Sequence, residues 1–92
     1  MGRKVDEVLY SKSAVKFVRS QNPKQQQRIK NAIDAHLMEI PEIGDVKPLK
    51  GRSDGVKRLR VGSIRVLYVY SEFDTILVLS IIDVDNRGGI YK

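Results

Sequence analysis

A chain of 92 residues with no cysteine, 17 Lys+Arg against 11 Asp+Glu and a formal net charge of +6 has room for one small core and a basic surface. It can form neither disulfides nor thiolate metal sites, and its single histidine excludes catalysis by a histidine pair. The N-terminus has no apolar run long enough for a signal peptide or a membrane span, and Asp6 breaks the myristoylation pattern, so a cytoplasmic protein attracted to polyanions is expected.

Residues 5–10 (Val-Asp-Glu-Val-Leu-Tyr) read as a short first strand. Ser11 is placed to cap a helix over 12–19, with Ala14, Val15, Phe17 and Val18 as its apolar residues. Ser20-Gln21 interrupts it. Asn22-Pro23 opens a second helix with Asn at the N-cap, Pro at the first helical position and Gln25 at the third, as in a capping box. Ile29, Ala32, Ile33, Leu37 and Ile40 recur at helical spacing, and Pro41 is expected to end the helix. His36, on this helix, reads as a surface or boundary residue. The short connection makes the two helices an antiparallel pair. Residues 42–55, rich in Gly, Pro and charge, read as a long crossover loop anchored by Leu49.

The stretch 57–70 organises the rest. Two runs of β-branched and aromatic residues flank Gly62-Ser63, the pattern of a β-hairpin with a type II′ turn. The turn sets the pairing: Val61 opposite Ile64, Arg60 opposite Arg65, Leu59 opposite Val66, Arg58 opposite Leu67 and Lys57 opposite Tyr68. Leu59, Val61, Ile64, Val66 and Tyr68 then share one face with Lys57, and Arg58, Arg60 and Arg65 share the other with Leu67 and Val69. The apolar face suits the helix pair. Arg60 opposite Arg65 is unfavourable unless an anion lies between them. A second turn over 71–74 leads into 75–84, an almost unbroken apolar run that fits a central strand. The expected fold is α+β: a two-helix antiparallel hairpin on one face of a small, mainly antiparallel four-stranded sheet, in the order β-α-α-β-β-β.

The last strand runs back toward the Gly62-Ser63 turn, so its end comes level with Arg65. Arg87 and Tyr91 follow within reach of the arginines if Gly88-Gly89 folds the tail over them. Several guanidinium groups around one phosphodiester would hold its oxygens and stabilise a pentavalent transition state. RNA carries its own nucleophile, the 2′-hydroxyl. Tyr91 is the residue in this set that could exchange a proton, and it is a weak base unless cations lower its pKa. No phosphate-binding glycine loop or nucleophile elbow is present, and no metal or small-molecule cofactor is expected. These residues leave three readings open: a slow or assisted ribonuclease, a pure RNA binder, or a solvated basic face.

Residues 47–70, with the run Lys-Pro-Leu-Lys-Gly-Arg followed by Arg-Val-Gly-Ser-Ile-Arg, and 84–92, Val-Asp-Asn-Arg-Gly-Gly-Ile-Tyr-Lys, resemble the RelE/ParE superfamily of toxin–antitoxin toxins. The resemblance spans nearly the whole of residues 1–92, taken as one toxin domain. It implies a toxin that cuts mRNA in the ribosomal A site, with Arg58, Arg65, Arg87 and Tyr91 as catalytic positions. Arg60, Lys57, Arg52, Lys50 and Lys47 are then candidate RNA contacts. Val56, Ile64 and Asn86 depart from common family residues, which here are lysine, an aromatic and histidine respectively. The resemblance also implies a cognate antitoxin, the ribosome and mRNA as partners. The alternative within the superfamily is a ParE-like inhibitor of DNA gyrase that cuts nothing.

Overall fold

The computed structural model describes residues 2–49 and 54–86. The hairpin forms in the expected register. Strands β5 (Lys57–Val61) and β6 (Ile64–Phe73) pair antiparallel from Val61 opposite Ile64 to Lys57 opposite Tyr68. Gly62 has φ +60°, the positive value that a type II′ turn demands at its first central position, where a Cβ would be strained.

Before the hairpin in the chain come β1 (Arg3–Lys4), β2 (Glu7–Tyr10), α1 (Lys12–Arg19), α2 (Pro23–His36), β3 (Glu39–Ile40) and β4 (Asp45–Pro48); β7 (Ile76–Asn86) follows it. The main sheet has the order β2-β7-β6-β5-β4, antiparallel except for β2 beside β7, and β1 pairs with β3 in a separate two-stranded sheet. The α+β fold with both helices on one face holds. The main sheet has five strands rather than the expected four, because residues 45–48, read as loop, form an edge strand against β5.

Both helix starts follow local chemistry. Ser11 Oγ accepts from Ala14 N at 3.1 Å, and Asn22 Oδ1 accepts from Gln25 N at 2.8 Å. The end of α2 differs from expectation. It stops at His36 with Leu37 as its C-cap, four residues short of Pro41, and Ile40 lies in β3 opposite Arg3. The last carbonyls of a helix need partners outside it. Here His36 O accepts from Ile43 N (3.1 Å), Leu37 O from the Tyr70 hydroxyl (2.6 Å) and Met38 O from Val5 N (2.9 Å). His36 is itself a boundary residue, its Nδ1 2.7 Å from the Ile43 carbonyl.

Ala14, Ile29, Ile33 and Leu37 of the helix layer pack on Leu59, Ile64, Val66, Tyr68, Leu79, Ile81 and Val84 of the sheet. The second turn also lies later than expected: β6 continues through Phe73, and the reversal falls at Asp74, which takes φ +55°. A β-bulge in β7 sets Asp83 opposite Leu67 but Ile81 opposite Tyr68, leaving Ile82 unpaired. The extra residue reverses the alternation, so Val84 and Ile81 both reach the core while Asp83 and Asp85 face away from it. Among the described residues no helix is long and apolar enough to cross a membrane.

Beside this core Glu42, with only 10% of its side chain exposed, takes two hydrogen bonds on one oxygen, from the Tyr68 hydroxyl (2.9 Å) and from Lys57 Nζ (3.0 Å). Burial pushes the carboxyl pKa up, but its own backbone N–H, Lys57 and Tyr68 together outweigh that and hold it below the ordinary value. A carboxylate with a lowered folded pKa stabilises the fold above its unfolded pKa, and that contribution is lost as pH falls through the folded value. Thermal unfolding should therefore be insensitive to Glu42 ionisation near neutrality and weaken below about pH 4.5. Glu42→Gln should lower stability at pH 7 by on the order of 1 kcal/mol and flatten the acid limb of the curve.

Candidate functional site: a charged row across the open sheet face

The sheet face turned away from the helices is built by register. Asp45 of β4 lies opposite Arg60 of β5, Arg60 opposite Arg65 of β6, and Arg65 opposite Asp85 of β7. Directly opposed residues share a face. Four charges thus cross four strands in the order acid, base, base, acid. The adjacent row on the same face runs Lys47, Arg58, Leu67, Asp83.

The arginines differ in environment. Arg58 is nearly buried, with 12% of its side chain exposed, and its Nη2 lies 3.5 Å from Asp45 Oδ1. Arg65 is partly buried, and its Nη2 donates to Asp85 Oδ2 at 3.1 Å. Arg60 is exposed. The anion that the Arg60–Arg65 juxtaposition calls for is thus supplied, at least in part, by the protein's own carboxylates. Neither pairing is saturated: Arg58 Nη1, Arg65 Nε and Asp85 Oδ1 are buried and have no hydrogen-bond partner among the described residues. A buried polar atom without a partner is costly, and these include two donors and one carboxylate oxygen, all closed to solvent in this arrangement.

Three of the expected RNA contacts fall within the described residues. Arg60 and Lys47 are exposed on the arginine face. Lys57 is not there; it belongs to the helix-side face, tied to Glu42. Lys50, Arg52, Arg87 and Tyr91 lie outside the described residues. The end of β7 does come level with the hairpin turn, with Asn86 opposite Ile64 and Asp85 opposite Arg65. Asn86 falls on the core side of the strand with Val84, the opposite side from Arg65. Ile64 is fully buried, and Val56 is buried with its N–H donated to Asp54 Oδ1 (3.3 Å). Val56 and Ile64 thus lie in the core, and Asn86 Oδ1 is buried with no hydrogen-bond partner among the described residues.

Proton transfer on this face is limited by what the described residues offer. The Tyr68 and Tyr70 hydroxyls point to the helix side, bonded to Glu42 and to Leu37 O, and burial pushes both pKa values far above the ordinary tyrosine value. Neither can serve as a base near neutrality. The titratable side chains of the two charged rows are the arginines, Lys47 and the carboxylates of Asp45, Asp83 and Asp85, so the described proton acceptors in these rows are carboxylates.

Asp45 and Asp85 were not anticipated as site residues. Asp85 was legible in part, since alternation along 83–86 sets it beside Arg65 once the strand end is placed level with the turn. Asp45 was hidden by the reading of its segment as loop.

The family described as the ParE toxin of type II toxin–antitoxin system, parDE, matches residues 8–89. The chain belongs to the ParE toxin family. This ParE-family toxin is also similar to a chain of the RelB–RelE antitoxin–toxin complex from Methanococcus jannaschii, at 26% identity over 90% of this chain and 94% of that one, with a TM-score of 0.61. No curated protein matches it. The RelE/ParE superfamily and its α+β fold are thus established for the chain, and with them its place as the toxin of a type II toxin–antitoxin module.

The differing environments of the arginines are measurable as stability. Arg58→Ala should lower the unfolding free energy by about 1–3 kcal/mol, because it empties a nearly buried position, whereas Arg60→Ala should change it by less than about 0.5 kcal/mol. Denaturant titration of the two variants checks the ordering.

Proposed function

We propose that this ParE-family toxin is a ribosome-dependent mRNA endonuclease. The observation that carries the reading is the convergence of Arg58, Arg60 and Arg65 on one sheet face, two of them with buried N–H groups that have no partner among the described residues. In the reaction the RNA 2′-hydroxyl attacks the adjacent phosphorus and the 5′-oxygen leaves, giving a 2′,3′-cyclic phosphate and a free 5′-hydroxyl. Arg58 and Arg65 hold the non-bridging oxygens and stabilise the added negative charge of the transition state. Arg87 and Tyr91, just beyond the end of β7, supply a further cation and the group that exchanges a proton. The ribosome supplies the in-line geometry, which offsets a weak base. Arg60, Lys47, Lys50 and Arg52 contact flanking phosphates; Lys57, bound to Glu42 on the other side, is left out of that set.

The similarity to a chain of an antitoxin–toxin complex supports a cognate antitoxin as partner. A segment carrying acidic residues would suit the net charge of +6.

A second reading, a ParE-like gyrase inhibitor without nuclease activity, is favoured by the carboxylates already seated on Arg58 and Arg65. Two assays separate the readings: the purified toxin with translating ribosomes, and with gyrase and relaxed plasmid. The endonuclease reading expects cut mRNA, unimpaired supercoiling, and at least a tenfold loss of cleavage in Arg65→Lys, which keeps the charge but loses the planar fork. Intact mRNA with blocked supercoiling would replace it with the gyrase reading.

A further inference from the structure

We infer that Asp45 and Asp85 are built-in counterions that occupy the arginine face in the free toxin and give way to RNA phosphate, so that they set its affinity for the phosphodiester backbone. The inference rests on the proposed RNA reading for the identity of the anion.

Three observations carry it. Both acids are placed by strand register rather than by a mobile side chain: Asp45 stands at one end of the charged row and Asp85 at the other. Each reaches an arginine through one described contact, Asp45 at 3.5 Å and Asp85 at 3.1 Å, rather than through the paired contacts that make arginine–carboxylate bridges strong. Both contacts leave guanidinium N–H groups, Arg58 Nη1 and Arg65 Nε, with no partner among the described residues; both are buried, so a phosphate oxygen reaches them only when the neighbouring carboxylate gives way. A carboxylate held singly beside an unsatisfied guanidinium is exchangeable. An incoming phosphate gains the free donors and must displace, or share the arginine with, a negative group already there. The acids thereby weaken binding to free polyanion. Strong binding is then reserved for RNA presented in a geometry that engages both arginines together. The charge row Asp45–Arg60–Arg65–Asp85 sums to zero, so this row by itself adds nothing to the protein's net charge of +6.

The test measures binding of a fluorescent single-stranded RNA oligonucleotide by anisotropy across a salt series, for the wild type, Asp45→Asn, Asp85→Asn and Asp74→Asn. Asp74 is an exposed turn residue with φ +55°. Asparagine tolerates that conformation, so Asp74→Asn makes the same charge change away from the row. Asp45→Asn and Asp85→Asn should each tighten binding about three- to tenfold and steepen the log–log salt dependence by about 0.7, one additional phosphate neutralised on single-stranded nucleic acid. Asp74→Asn should change affinity less than twofold with an unchanged slope. If all three variants behave alike, or if neither row variant tightens binding, the counterion role is overturned. Asp45 is half exposed, so Asp45→Asn decides the question should Asp85→Asn fold poorly. Ribosome cleavage is scored separately. Tighter binding without cleavage keeps the counterion role and removes the nuclease, while cleavage with unchanged binding does the reverse.

Discussion

The reversal at Gly62-Ser63 determines which side chains of this toxin meet. A two-residue loop with glycine at positive φ permits one register, and a slip of one residue would exchange the two faces of the strand. In the register observed, Leu59, Ile64, Val66 and Tyr68 go to the core, and Arg58, Arg60 and Arg65 go to the open face. The neighbours β4 and β7 extend the same alternation, so the arginines acquire Asp45 on one side and Asp85 on the other. Packing and surface electrostatics are two consequences of one turn.

The two faces handle charge differently. On the helix side Glu42 draws a lysine and a tyrosine onto a single oxygen and closes the end of the core. On the open side the contacts are single and leave donors unused. The first arrangement fits a structural bond and the second a site that exchanges partners. The chain belongs to the ParE toxin family and is similar to a chain of a RelB–RelE complex.

Much of this was legible in the residues. Ser11 and Asn22 announce their helices through local hydrogen bonds, and the Gly-Ser spacer fixes its own pairing, because in each case the deciding partners lie within a few positions. What escaped reading depended on distant partners. The end of α2 is decided by Tyr70 and Val5, far away in the chain, rather than by Pro41. The β4 segment has Val46 as its sole large apolar residue and Pro48 at its end, and forms a strand because β5 offers an unpaired edge. In β7 a continuous apolar run carries no alternation to betray a bulge, so the orientation of Asp83 and Asp85 followed only from the strand's end. The arginine face was therefore anticipated, and its counterions were not.

The central claim is that strand register seats Asp85 on Arg65. A double-mutant cycle on unfolding free energy between Arg65 and Asp85, with Arg65 and Asp83 as the off-register comparison, measures it directly. The observed pairing predicts a favourable coupling of about 0.5–1 kcal/mol for Arg65–Asp85 and a smaller one for Arg65–Asp83. Zero coupling for Arg65–Asp85, or a larger value for Asp83, would contradict it.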